Sequence, residues 1–197
     1  MEKNLEVEKA VKILNKGGIV IFPTDTAFGI GCRIDNENAI KKLFKLRKRP
    51  IFQATPVLVS ELSMAEEYVL KVPKEVKEKL IDRFWPGALT IVLACKKDKV
   101  PTLVRGGGDS IGVRMPNNKI ALEIIKRVGV PILGPSANFH GEKTPYEYKD
   151  LDPRLTKLAD YVVKGKCLFK KPSTVIDCTK KPWQILREGA LNINIEI

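Results

Sequence analysis

The residues best suited to chemistry lie in short polar segments spread along the chain, and most of them carry hydroxyl or guanidinium groups. Thr24, Asp25 and Thr26 follow Pro23 and precede Gly29 and Gly31, at the end of the apolar run Ile19 to Phe22. Hydroxyls, a carboxylate and glycines at the end of a buried strand suit a pocket that hydrogen-bonds a small polar ligand, although a plain polar turn has the same composition. Arg47, Lys48 and Arg49 crowd together before Pro50, and Arg114 and Arg187 stand beside other polar segments. A guanidinium binds phosphate oxygens through two parallel charge-assisted hydrogen bonds, so these cations point to a phosphate ligand. Ser136 and Asn138 follow Gly134 and Pro135, and Ser173 and Thr174 open a further polar segment.

Other chemistries find little support. His140 is the only histidine and reads as a solvated loop residue, which leaves no Ser/His/Asp or Cys/His nucleophile. Cys32, Cys95, Cys167 and Cys178 are scattered without a CxxC pair, against a structural zinc site. No Walker A sequence occurs, and Gly29 and Gly31 lack the third glycine of a dinucleotide fingerprint. The 35 Lys and Arg against 23 Asp and Glu give a net charge of +12, which favours nucleotides, RNA or other phosphates as partners. Lys41, Lys42, Lys77 and Lys79 read as solvated helix faces, and Asp177 and Glu188 as satisfied structural carboxylates.

The elements that must position these residues alternate between helix and strand. Val7, Ala10, Val11 and Leu14 recur at helical spacing up to Gly17 and Gly18, and a buried strand then runs from Ile19 to Phe22. A cap at Asp35 or Asn36 starts a helix with Ala39, Ile40, Leu43 and Phe44 on one face. Strands are expected at 57–59, 89–94, 110–114, 132–133 and 161–163, with helices at 61–68, 73–84, 118–128 and 153–159. Residues 95–109, with Gly106, Gly107 and Gly108 in succession, read as a mobile loop. Residues 173–177 and 183–187 form an expected hairpin, and apolar alternation from Leu191 to Ile197 predicts a last strand. The pattern is α/β with a mixed sheet. With 197 residues and no Pro/Gly/Ser-rich linker, one domain spanning 1–197 is expected. A charged opening and the absence of any apolar stretch near about 18 residues lead us to expect a cytoplasmic protein with reduced cysteines and no membrane partner.

Taken in order, residues 23–31, 47–50, 85–87, 113–116, 136–138, 173–177 and 187–189 resemble the threonylcarbamoyl-AMP synthase family, also called YrdC or Sua5. The resemblance covers almost the whole chain and matches the short form of the family. It implies an open twisted sheet flanked by helices and curved around a large positively charged cavity. It also implies a reaction: L-threonine, bicarbonate and ATP give threonylcarbamoyl-AMP and pyrophosphate, which feeds threonylcarbamoyladenosine formation at position 37 of tRNA. By motif position, Thr24, Thr26, Ser173 and Thr174 would bind threonine, with Asp25 shaping the turn. Arg47, Arg49, Arg114, Ser136, Asn138 and Arg187 would bind ATP. Mg2+ would arrive on the ATP phosphates, with Ser136 and Asn138 as possible contacts, and a tRNA threonylcarbamoyl transferase machinery would take the product.

The chain departs from the family pattern in several places. Arg47 replaces the usual lysine, a further lysine is missing near Gln53, and Phe28 stands for a tyrosine. Asn138 to Gly141 and Lys170 to Pro172 also differ from the usual runs. An alternative reading is a module that binds tRNA or double-stranded RNA through phosphate contacts without catalysis. The uncharged Thr and Ser-Ala-Asn segments fit a small-ligand pocket better than a phosphate track.

Overall fold

The computed structural model describes residues 2–193. Helix α1, Glu2–Asn15, buries Val7, Ala10 and Leu14, and ends where the Gly17 and Gly18 amides donate to Leu14 and Ile13 carbonyls. Strand β1, Val20–Pro23, is buried along its length. Within the segment that had the composition of a polar turn lies strand β2, Phe28–Gly31, paired antiparallel with β1 from Val20–Gly31 to Pro23–Phe28. Its glycines serve packing: a Cβ on Gly31 would lie 2.0 Å from the Leu133 carbonyl oxygen.

Helix α2, Glu37–Leu46, is capped by Asn36 Oδ1 on the Ala39 amide at 2.9 Å and buries the four apolar residues expected of it. Its end is a left-handed turn at Lys48 (φ 53°), after which the Arg49 amide donates back to the Phe44 carbonyl. Strand β3 is Val57–Leu58, and α3 is Leu62–Glu66, shorter than expected. Helix α4, Lys74–Val76, continues through a π-helical stretch, Lys77–Ile81, into α5, Asp82–Phe84. Strands β4, Leu89–Ala94, and β5, Ser110–Arg114, follow.

Between them, residues 95–109 are not an unanchored loop. Val100 and Val104 are buried, the Thr55 amide donates to Val104, and Arg105 donates to the carbonyls of Val100 and Gly108. Two valines spaced one turn apart were the sequence signal, hidden by the glycines beside them. Helix α6, Lys119–Val128, is capped by Asn118 and stopped at Gly129 (φ 77°). Strand β6 is Ile132–Leu133, α7 is Pro153–Leu158, β7 is Tyr161–Val162, β8 is Thr174–Asp177 and β9 is Gln184–Arg187. Of the expected last strand, Leu191 to Ile193 are irregular, and the remainder lies outside the described residues.

The strands form two mixed sheets, ordered β2-β1-β7 and β6-β3-β5-β4-β8-β9. Parallel pairs β1/β7, β3/β5 and β4/β8 are interleaved with antiparallel ones. A seam of backbone hydrogen bonds joins the free edge of β2 to the chain around β6. Leu133 donates to Cys32, Ile30 to Pro135 and Ala137 to Phe28, at 2.9, 3.0 and 2.8 Å. The buried side chains of both sheets belong to one hydrophobic cluster. The seam brings the turn after β1 against the segment that carries Ser136.

Candidate active site

The turn between β1 and β2 is built by its own hydroxyls. Thr24 Oγ1 donates to the Ala27 carbonyl at 2.7 Å and lies 3.1 Å from Thr26 Oγ1. Arg114, from the end of β5, reaches in behind it. Its Nη1 donates to Thr26 Oγ1 at 2.8 Å, its Nη2 to Asp25 Oδ1, and its Nε to the Gly87 carbonyl at 3.0 Å. Asp25 is 1% exposed and Arg114 5%, so this is an interior ion pair. Burial lowers the Arg114 pKa against the opposing pull of Asp25. The Trp-Pro-Gly motif at 85–87 thereby acquires a local reason, since Gly87 carries the acceptor that completes the Arg114 fork.

A second wall comes from the end of α2. Arg47 is 3% exposed; its Nε donates to the Asn138 carbonyl at 3.0 Å, its Nη2 donates to Asn138 Oδ1 at 3.3 Å, and its buried Nη1 has no partner among the described residues. Burial, with Arg49 nearby, lowers its pKa to about 10. Arg49 donates from Nε to the Gln53 carbonyl and from Nη2 to that of Ala54. Lys48 is exposed and turns its ammonium toward the Phe139 ring, 5.6 Å from the centroid. Ser136 Oγ donates to Asn138 Oδ1 at 2.6 Å, and Asn138 Nδ2 donates to the Glu142 carbonyl at 2.6 Å.

The third wall holds Ser173, Thr90 and Arg187. Ser173 Oγ lies 2.8 Å from Thr90 Oγ1 and accepts from Arg187 Nη2 at 3.0 Å, while Arg187 Nε donates to the Ser173 carbonyl. Thr174 faces elsewhere: its hydroxyl donates to the Leu191 carbonyl and accepts from the Gly189 and Leu191 amides. Side chains alternate along a strand, so Ser173 and Thr174 cannot both face one side.

These walls enclose a cleft of about 710 Å3, open solvent at its mouth included. Of the expected residues, Thr24, Thr26, Arg47, Arg49, Arg114, Ser136, Ser173 and Arg187 line it, and Thr174 and Asn138 do not. Thr90 and Thr144 line it as well; the first was legible as a lone hydroxyl among the apolar residues of β4. Arg47, Arg49 and Arg187 form no ion pair among the described residues, in contrast to Arg114 with Asp25. Burial lowers the Arg49 and Arg187 pKa values too.

A protein-held magnesium finds no fitting ligand set here. Among the described residues no carboxylate lines the cleft, and Asn138 Oδ1 already accepts from Arg47 and Ser136.

The family model Sua5/YciO/YrdC, described as "Telomere recombination", matches residues 12–189. The chain belongs to this family. It is 33% identical over 94% of its length to the threonylcarbamoyl-AMP synthase of Bacillus subtilis, of which it spans 54%. It is 32% identical over 93% of its length to the uncharacterized protein YciO of Escherichia coli, of which it spans 88%. The solved structure of Pyrococcus abyssi Sua5 complexed with L-threonine superposes with a TM-score of 0.87 at 33% identity, covering 94% of this chain and 54% of that one. The chain thus spans about half the length of the named synthase, and the family includes both named synthases and proteins without an assigned activity.

Proposed function

We propose that the protein is an L-threonylcarbamoyladenylate synthase. In this reaction the threonine amine attacks bicarbonate carbon with loss of water, and an oxygen of the new carbamate attacks the α-phosphorus of ATP. The bond to the β-phosphate oxygen breaks, and pyrophosphate leaves with the negative charge. Fixed guanidinium groups aimed at that charge would lower the barrier without a dedicated nucleophile. The observation that carries the reading is the convergence of Arg47, Arg49 and Arg187, none in an ion pair among the described residues, on a cleft floored by Thr24, Thr26 and Ser136. Similarity to named synthases, one of them solved with L-threonine, supports the substrate assignment. In the same reading Thr24, Thr26 and Ser173 face the amino acid, Arg47, Arg49, Ser136 and Arg187 face ATP, and Arg114 with Asp25 holds the turn. Magnesium would travel with the ATP phosphates, and the product would pass to a transferase that modifies tRNA in the cytoplasm.

The test mixes the protein with ATP, magnesium and either or both of threonine and bicarbonate. Pyrophosphate release is expected only when both are present, together with an adenylate of the mass of threonylcarbamoyl-AMP. Equal release without threonine would replace this reading with general nucleotide hydrolysis. The alternative of an RNA-binding module predicts no turnover at all, and it is less well supported because Arg47 and Arg114 are recessed rather than displayed along a surface.

A further inference from the structure

Arg47 and Asn138 come from distant parts of the chain, yet Asn138 takes two of the three guanidinium nitrogens of Arg47. Asn138 offers Arg47 two acceptors, its backbone carbonyl to Nε and its Oδ1 to Nη2. The return contact is also backbone, since the His140 amide donates to the Arg47 carbonyl at 2.8 Å. Oδ1 accepts from Ser136 as well, and Nδ2 is taken by the Glu142 carbonyl. Asn138 keeps only the second hydrogen of Nδ2 unengaged among the described residues, and it does not line the cleft. Arg47 does line it, and among the described residues its Nη1, a buried atom, is the only one of its nitrogens without a partner.

We infer that Asn138 is a positioning residue: it grips one edge of the Arg47 guanidinium and the Ser136 hydroxyl, so that Arg47 presents Nη1 to an anionic ligand group in the cleft. This rests on the reading of the cleft as a nucleotide site, and it assigns Asn138 no direct contact with phosphate or metal. A planar fork is needed for the arrangement. Lysine has one nitrogen on a flexible stem and cannot satisfy two fixed acceptors in a plane while offering a third donor elsewhere. Arginine at position 47 and the local geometry at Asn138 therefore belong together.

The experiment is a mutant cycle read by calorimetric titration with inorganic pyrophosphate, on the wild-type chain, Arg47→Lys, Asn138→Ala and the double variant. Each single change is expected to weaken binding about tenfold, and the double variant to be no more than about twofold weaker than the poorer single, because both remove one device. Losses that multiply to about a hundredfold would mean two independent contacts and would overturn the inference. If circular dichroism shows that Asn138→Ala does not fold, Asn138→Leu takes its place in the cycle, since it keeps the shape of the side chain and removes both its acceptor and its donor without adding charge. Adenylate formation by the wild type is measured alongside. Pyrophosphate binding with full coupling but no adenylate would sink the proposed reaction and leave the positioning role standing, whereas a wild type that does not bind pyrophosphate sinks the positioning role.

Discussion

Asp25 and Arg114 illustrate how much a single buried charge can matter. Replacing Asp25 with Asn leaves the Arg114 guanidinium enclosed without its counter-ion, and breaking such a pair from one side costs about 3–5 kcal/mol. Urea unfolding of Asp25→Asn measures this, and a loss below about 1 kcal/mol would mean that water or backbone carbonyls compensate. The cations of the neighbouring wall should differ among themselves. Arg49 lines the cleft, whereas Lys48 is exposed and turned toward Phe139. Arg49→Ala is expected to weaken ATP binding roughly ten- to a hundredfold, and Lys48→Ala much less. Titrations of both at one salt concentration check this, and a larger effect at Lys48 would reverse the assignment.

At the scale of elements, Asp160 ties three segments at the entrance to β1. Its Oδ2 accepts from the Ile19 amide at 2.7 Å and from Lys42 Nζ at 2.9 Å, the latter reaching across from α2. Partial burial pushes its pKa up, but the Ile19 amide and Lys42 together bring it below the usual carboxylate value. A depressed folded pKa means that this contribution is complete above the unfolded value near 3.9 and fades as pH falls through the folded one. Asp160→Asn should therefore flatten part of the stability loss seen in denaturant melts below about pH 4; an unchanged acid slope would remove Asp160 from the account. Elements of this kind were legible where one periodicity ran unbroken, as in α2 and α6, whose buried residues are the ones that the spacing selects. Strand β2 was hidden because Gly29 and Gly31 read as loop residues; only contact with Phe22 and the Leu133 carbonyl, distant in sequence, explains them. The direction of Thr174 was hidden for a different reason. A motif names neighbours, and a strand sends neighbours to opposite faces.

For the whole molecule the decisive feature is the seam between the two sheets, which holds the hydroxyl turn against the Ser136 segment. Gly31→Ala would place a methyl 2.0 Å from the Leu133 carbonyl oxygen, and backbone on both sides leaves no flexible end to yield. A loss of about 1–3 kcal/mol or more is expected, with weakened ligand binding; a change under about 0.5 kcal/mol would show that the seam can open freely. The sequence supplied most of the cleft's residues, and it did not supply their division of labour. Which arginine is spent on the protein and which is left over depends on acceptors such as the Gly87 and Asn138 carbonyls, and carbonyls have no signature in a sequence.

Those leftover arginines have a consequence for the protein as a material. Arg49 opposes the charge of Arg47, so an anion that paired with both would stabilise the fold, and buffer composition would become part of the stability of the molecule. A ligand that binds only the folded form adds about 2.7 kcal/mol at a hundred times its dissociation constant, roughly 5–10 °C in melting temperature for a chain of this size. Pyrophosphate should raise the melting point by that order, and sodium chloride at matched ionic strength should not. If both salts acted alike, the effect would be diffuse screening, and purification in phosphate would be no gentler on this protein than purification in chloride.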